Sequence, residues 1–169
     1  MVRNRANEKE WLMELMSERG DRSWDSSGVS ERGAQLTPPN NIEAEARVLA
    51  AMLLSSEVVE EALVELLPDD FYRPAHKTLF MAMHEMYDRN LPIDAITLTD
   101  YLSSIDKLEA VGGEAYILEL MGQTLSLVSW QHHAGIVRRD SMLREIIGAT
   151  TQINALAYNA PTDTKEVIE

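Results

Sequence analysis

Four histidines, two adjacent aspartates, two adjacent glycines and one knot of arginines are the groups here whose types and spacing could do chemistry. His76 and His84 stand eight residues apart, two turns along one helix face, too far for both to ligate one metal directly. His132 and His133 are adjacent, so on a helix they point about 100° apart. No His-x-x-x-His or Glu-x-x-His pairing is visible and cysteine is absent, so no metal site is expected. Asp69 and Asp70 could do acid–base work. They lie just before a helix start at Pro74, however, and one of them is expected to stabilise that positive helix end. Gly112 and Gly113 lack the third glycine, the lysine and the strand of a phosphate cradle, so they read as a helix stop followed by a permissive start. Arg138, Arg139 and Arg144, set among Asp140 and Glu145, read as a solvated or interhelical charge face rather than a DNA track. No Ser/His/Asp arrangement carries a local signature. The chain is therefore expected to hold no catalytic, cofactor-binding or metal-binding residue.

The elements that would position these groups are helical from Asn40 onward. Asn40 with Glu43 makes a capping-box-like start, and Ile42, Leu49, Met52 and Leu53 give an inward face. A second helix is expected from about Glu57 to Leu67, with Val58, Ala62 and Leu66 inward. Pro68 cannot sit in a helix interior, and Pro74 suits the first turn of a third helix running to about Arg89. Between those prolines lie Phe71 and Tyr72, two of only seven Phe and Tyr residues in the chain. Phe71 is expected to plug the core between the second and third helices. Asn90-Leu91-Pro92 breaks the third helix, Thr97 with Asp100 is expected to cap a fourth, and a fifth is expected from Glu114 to Met121.

Ser129–Tyr158 contains no proline and two glycines, and would be about 45 Å long as one helix. Ile136, Leu143, Ile146, Ile147, Ile153 and Ala157 follow an approximate heptad stripe, supplemented by Met142 and Leu156. It reads either as one long core helix or as a helix that leaves the head and packs on another. Pro161 stops it near Asn159. Asp163 with Glu166 then starts a new cap six residues before the end, which reads as part of something longer. At the other end, Trp11, Leu12, Leu15 and Met16 could face one side of a short helix, either fraying alone or docking on a partner. Residues 21–37 read as a flexible linker.

The 169 residues suit one domain with a decorated end. The longest purely apolar run, Val48–Leu54, is far short of the roughly 20 residues that span a bilayer. The net charge of −13 is uneven: Met1–Leu36 holds six basic and seven acidic residues, and the remainder nine basic and 21 acidic. Nucleic-acid affinity comes mostly from Lys and Arg neutralising phosphates, so direct DNA binding by this acidic domain is not expected.

Four motifs recur in one order: Pro38-Pro39-Asn40-Asn41-Ile42-Glu43-Ala44-Glu45, then Asp69-Asp70-Phe71-Tyr72-Arg73-Pro74-Ala75-His76, Pro92-Ile93-Asp94 and Val111-Gly112-Gly113. Together they resemble the N-terminal domain of the DnaB-type bacterial replicative helicases, over Pro38 to about Asn159. The resemblance implies an all-α fold, a compact multi-helix head followed by a long helix that begins a helical hairpin, cut in its second helix. Residues 1–37 would be an extension and linker, 38–128 the head, and 129–169 the long hairpin helix and the start of the returning one. It further implies a cytoplasmic collar that pairs subunits into dimers and hexamers and contacts primase and a helicase loader. ATP and Mg would be used by a motor domain absent from this chain. Trp130, Ile136, Leu143, Ile146, Ile147, Ile153 and Leu156 are then the expected subunit interface, and Glu43, Phe71, Tyr72, Pro74, Gly112 and Gly113 the structural motif residues. Two other readings stand beside it: a nucleotide hydrolase, which would need the missing phosphate loop, and a free-standing helical adaptor or DNA-binding regulator.

Overall fold

The computed structural model describes residues 37–122 and 127–159, and the chain divides after Thr37 into two units. The expected short helix around Trp11, the linker over 21–37 except Thr37, and the new cap at Asp163 lie outside the described residues. Among those described, all regular structure is helical: α1 Ile42–Leu54, α2 Ser56–Glu65, α3 Pro74–Asp88, α4 Ala95–Ser104, α5 Leu108–Val111, α6 Gly113–Gly122 and α7 Trp130–Tyr158, with 3-10 turns at Pro68–Asp70 and Leu127–Ser129.

The central element is α1. Nine of its 13 residues are buried, from Ala44 to Leu53, because α2, α3, α6 and α7 all pack on it. A helix that is apolar nearly all round needs such cover, and Ala44, Ala46, Ala50 and Ala51 let the neighbours come close. The cap is Asn41, not Asn40: the Asn41 side chain accepts the Ala44 N–H at 2.9 Å, while Asn40 donates to the Pro38 carbonyl. Ser55 closes α1 through its own N–H to Ala51 and opens α2 by accepting the Val58 N–H.

The second helix ends at Glu65 rather than Leu67, since Leu66 and Leu67 are already extended. That is the geometry a residue before proline prefers. Asp70 accepts the Leu67 N–H at 2.8 Å and Asp69 pairs with Lys77, so neither aspartate caps α3. The fourth helix starts at Asp94, which accepts from Ile96 and Thr97 while the Thr97 hydroxyl accepts the Asp94 N–H. The expected Thr97–Asp100 cap is one turn late. Asp94 wins because its carboxylate reaches two free N–H groups at once, and those hydrogen bonds hold it below the usual carboxylate range.

Phe71 is 4% exposed and its ring centre lies 4.9 Å from that of Phe80. Gly112 ends α5 in the left-handed region at φ 107°, and a Cβ there would meet Tyr116 Cβ at 3.0 Å. Gly112→Ala should therefore lower stability by about 1–3 kcal/mol. Gly135→Ala, with open space around it inside α7, should raise it by about 0.5–1 kcal/mol. Urea midpoints shifted in opposite directions from wild type check the pair.

The last helix belongs to two environments. Trp130, Ala134, Val137, Asp140 and Ser141 are buried in the head, whereas nearly every residue from Met142 to Tyr158 is exposed. At 29 residues it is about 43 Å long, longer than the head can cover.

Candidate assembly and partner-docking site

Two arrangements could carry function, a buried polar knot in the head and the bare half of α7. The knot is centred on Glu45, which is 1% exposed. Its carboxylate accepts the Tyr72 N–H at 2.8 Å and the Arg73 N–H at 3.3 Å, and lies 2.7 Å from His76 Nδ1. Tyr72 and Arg73 immediately precede Pro74, and Arg73 makes no side-chain cap of its own. A carboxylate from α1 therefore satisfies the free N–H groups at the head of α3 and sits where the helix dipole favours an anion.

Beyond Glu45 the line continues. His76 is fully buried, with Nε2 2.5 Å from the Tyr116 hydroxyl, and that oxygen accepts from Arg73 Nη1 at 2.8 Å. The Arg73 guanidinium also stands 4.6 Å from the Tyr116 ring centre. A neutral His76 protonated on Nδ1 satisfies every group: it donates to Glu45 and accepts the Tyr116 O–H. Carboxylate, imidazole and hydroxyl in line have the connectivity of a proton relay. The electrostatics oppose that use. Burial pushes the Tyr116 hydroxyl above its ordinary range, with Arg73 only partly opposing, while a nucleophile needs the reverse. The knot ties α1, α3 and α6 together.

The same two motifs form a socket for one arginine of α7. Arg144 donates to the Pro39 carbonyl at 2.9 Å and the Asp70 carbonyl at 2.6 Å, and stands 5.7 Å from the Tyr72 ring centre. One turn and a half earlier, Arg138 donates to the Glu65 carbonyl at 2.9 Å. Arg139 pairs with the buried Asp140 at 2.6 Å. Arg138 and Arg144 fasten α7 to the head, as an interhelical charge face would, whereas the Arg139–Asp140 pair lies within α7 itself.

From Met142 onward the stripe is bare. Leu143, Ile146, Ile147, Ile153 and Leu156 are 40–60% exposed, and Met142 beside them 55%. Trp130 and Ile136 do not join it: Trp130 is 7% exposed in the head and Ile136 packs against the core. The heptad spacing continues through both halves of the helix, but the head already covers the first. Of the motif residues, Glu43 points outward and pairs with Arg47 at 2.7 Å, which holds its carboxyl below the usual range. The inward acid is Glu45, two residues on. Tyr72 is half-exposed beneath Arg144, while Pro74 opens α3 and Gly113 opens α6. Sequence reasoning passed over Glu45 and Tyr116; the second acid of the Ile42-Glu43-Ala44-Glu45 run was the signal for the first. No metal-binding cluster occurs among the described residues, and no helix there is long and apolar enough to cross a membrane.

Residues 37–139 match the model of the DnaB-like helicase N terminal domain. The replicative DNA helicase DnaC of Bacillus subtilis is 35% identical over 131 residues, covering 78% of this chain and 29% of that protein. The replicative DNA helicase DnaB of Geobacillus stearothermophilus is 38% identical over 130 residues, covering 77% of this chain and 29% of that protein. This chain thus spans under a third of the length of these relatives. The crystal structure of the N-terminal domain of DnaB helicase from Mycobacterium tuberculosis superposes with a TM-score of 0.74 at 33% identity, covering 78% of this chain and 93% of that one. A DnaB-like replicative helicase described with its interactions with primase shares the fold, with a TM-score of 0.62 at 24% identity over 70% of this chain and 28% of that one. An all-α head, a buried core around the paired motifs and these likenesses agree: the chain belongs to the DnaB-like helicase N-terminal domain family.

Proposed function

We propose that this chain is the assembly and partner-docking domain of a cytoplasmic replicative DNA helicase, supporting dimers within a hexamer, as a trimer of dimers, and interaction with primase and a loader. The observation that carries it is the bare half of α7, where five large aliphatic residues from Leu143 to Leu156 face solvent on one rod. Contiguous exposed apolar surface of this kind is ordinarily covered by a partner, and relatives named as replicative helicases share the head and the helix start. DNA unwinding, with the ATP and Mg it uses, is assigned to the parent protein, since the relatives are more than three times as long as the span matched here. Residues 129–169 would supply the first helix of the pairing hairpin and the start of its second.

The test is self-association. The chain should sediment with concentration-dependent mass, and Ile146→Asp should weaken that association at least about tenfold, or 1.4 kcal/mol, by placing an unpaired charge in the contact. A chain that stays monomeric at about 100 μM would sink the pairing model for this chain, because a dimer with a dissociation constant of about 100 μM or below is populated there.

A further inference from the structure

The face of the head built on α4 carries a second apolar surface. Ile96, in the first turn of α4, is 82% exposed, with Leu91 at 42% and Leu118 at 55%. It stands as a ridge between two grooves. One, of about 410 Å³, is lined by Met86, Leu91, Pro92 and Tyr101; the other, of about 270 Å³, by Ala95, Leu108 and Leu118. Asp100 lines both, and Glu114 the second. No lysine or arginine is among the described residues lining either groove. Neither acid makes a side-chain hydrogen bond or ion pair with any described residue, whereas Arg89, whose guanidinium stands 5.8 Å from the Tyr101 ring centre, is held by Glu85.

An apolar ridge and two grooves with a free acidic rim are the complement of one kind of object. We infer that this face docks an amphipathic helix of another protein, with large apolar side chains one turn apart straddling Ile96 and a Lys or Arg against Asp100. Helices lay i, i+3 and i+4 side chains into grooves in this way, and opposite charge at the rim sets orientation and speeds encounter. The surplus of acid over base in the domain favours a cationic partner over a long range as well. The inference rests on the reading of the head as a docking platform and names its surface and the chemistry of the occupant. It uses no residue of the α7 stripe, so its failure is distinguishable from failure of self-association.

The probe is a synthetic Leu/Lys amphipathic helix of about five turns, with a Leu/Glu peptide of the same apolar pattern as comparison. Both are titrated into isotope-labelled chain by NMR. Expected are saturable shifts centred on Leu91, Ile96, Asp100 and Leu118 with the Leu/Lys peptide alone. Ile96→Glu and Asp100→Lys, both at exposed positions, should weaken it at least about tenfold, and Asp100→Lys should acquire affinity for the Leu/Glu peptide. Glu60→Lys, an equal charge change on α2, should bind as wild type. Absence of saturable binding, equal losses in Glu60→Lys and Asp100→Lys, or shifts spread over the whole acidic surface would overturn the inference. So would shifts at the same residues on raising the chain concentration alone, which would assign the face to a second copy.

Discussion

Glu45→Ala is expected to lower the unfolding free energy by about 3 kcal/mol, because one buried and two part-buried donors lose their acceptor at up to about 1–3 kcal/mol each. The donors are the Tyr72 and Arg73 N–H groups and His76 Nδ1. The His76 donor cannot turn to water, since Glu45 and His76 are almost fully enclosed. The loss should also be visible locally, as faster amide exchange at Tyr72 and Arg73, since the start of α3 would have no side-chain cap left. Glu43→Ala is the matched control. It removes the same group from the same helix turn, but from its exposed side, and should leave the urea midpoint within error. Equal midpoints for Glu45→Ala and wild type would show that the knot contributes nothing to stability.

Phe71→Ala should cost about 3–5 kcal/mol, the range for deleting a buried aromatic, out of a total near 5–15 kcal/mol for such a domain. Its ring lies against Phe80, which is itself fully buried, so the cavity cannot collapse without moving α3. Tyr72→Ala, one residue along extended backbone and thus facing the other way, should cost far less. It loses a contact with the Arg144 guanidinium worth about 0.5–1 kcal/mol at an exposed site. Urea denaturation with a shared slope reads both, and a Phe71→Ala midpoint matching that of Tyr72→Ala would contradict the burial argument.

The all-α class, the number of long helices and most of their ends were legible in the sequence, because the effects that set them act within a few residues. Pro68 and Pro74 bracket the corner, Gly112 stops α5 in the left-handed region, and the lack of proline through α7 leaves one rod. The burial of Phe71 and the family were legible too, the latter because four motifs keep their order. Caps slipped by one residue at Asn41 and by three at Asp94, since neighbouring Asn, Asp and Thr compete for the same few N–H groups and sequence pattern does not rank them.

The site was decided elsewhere. Glu43 and Glu45 are alike in type and nearly alike in position, and what separates them is that α3 delivers Tyr72, Arg73 and His76 to one side of α1. Tyr116 and Arg144 meet their partners from 40 to 105 residues away, and Trp130 and Ile136 lie in the head because α7 packs along α1 before leaving it. Local propensity places a helix; which of its faces is covered, and by what, follows from the packing of the whole chain.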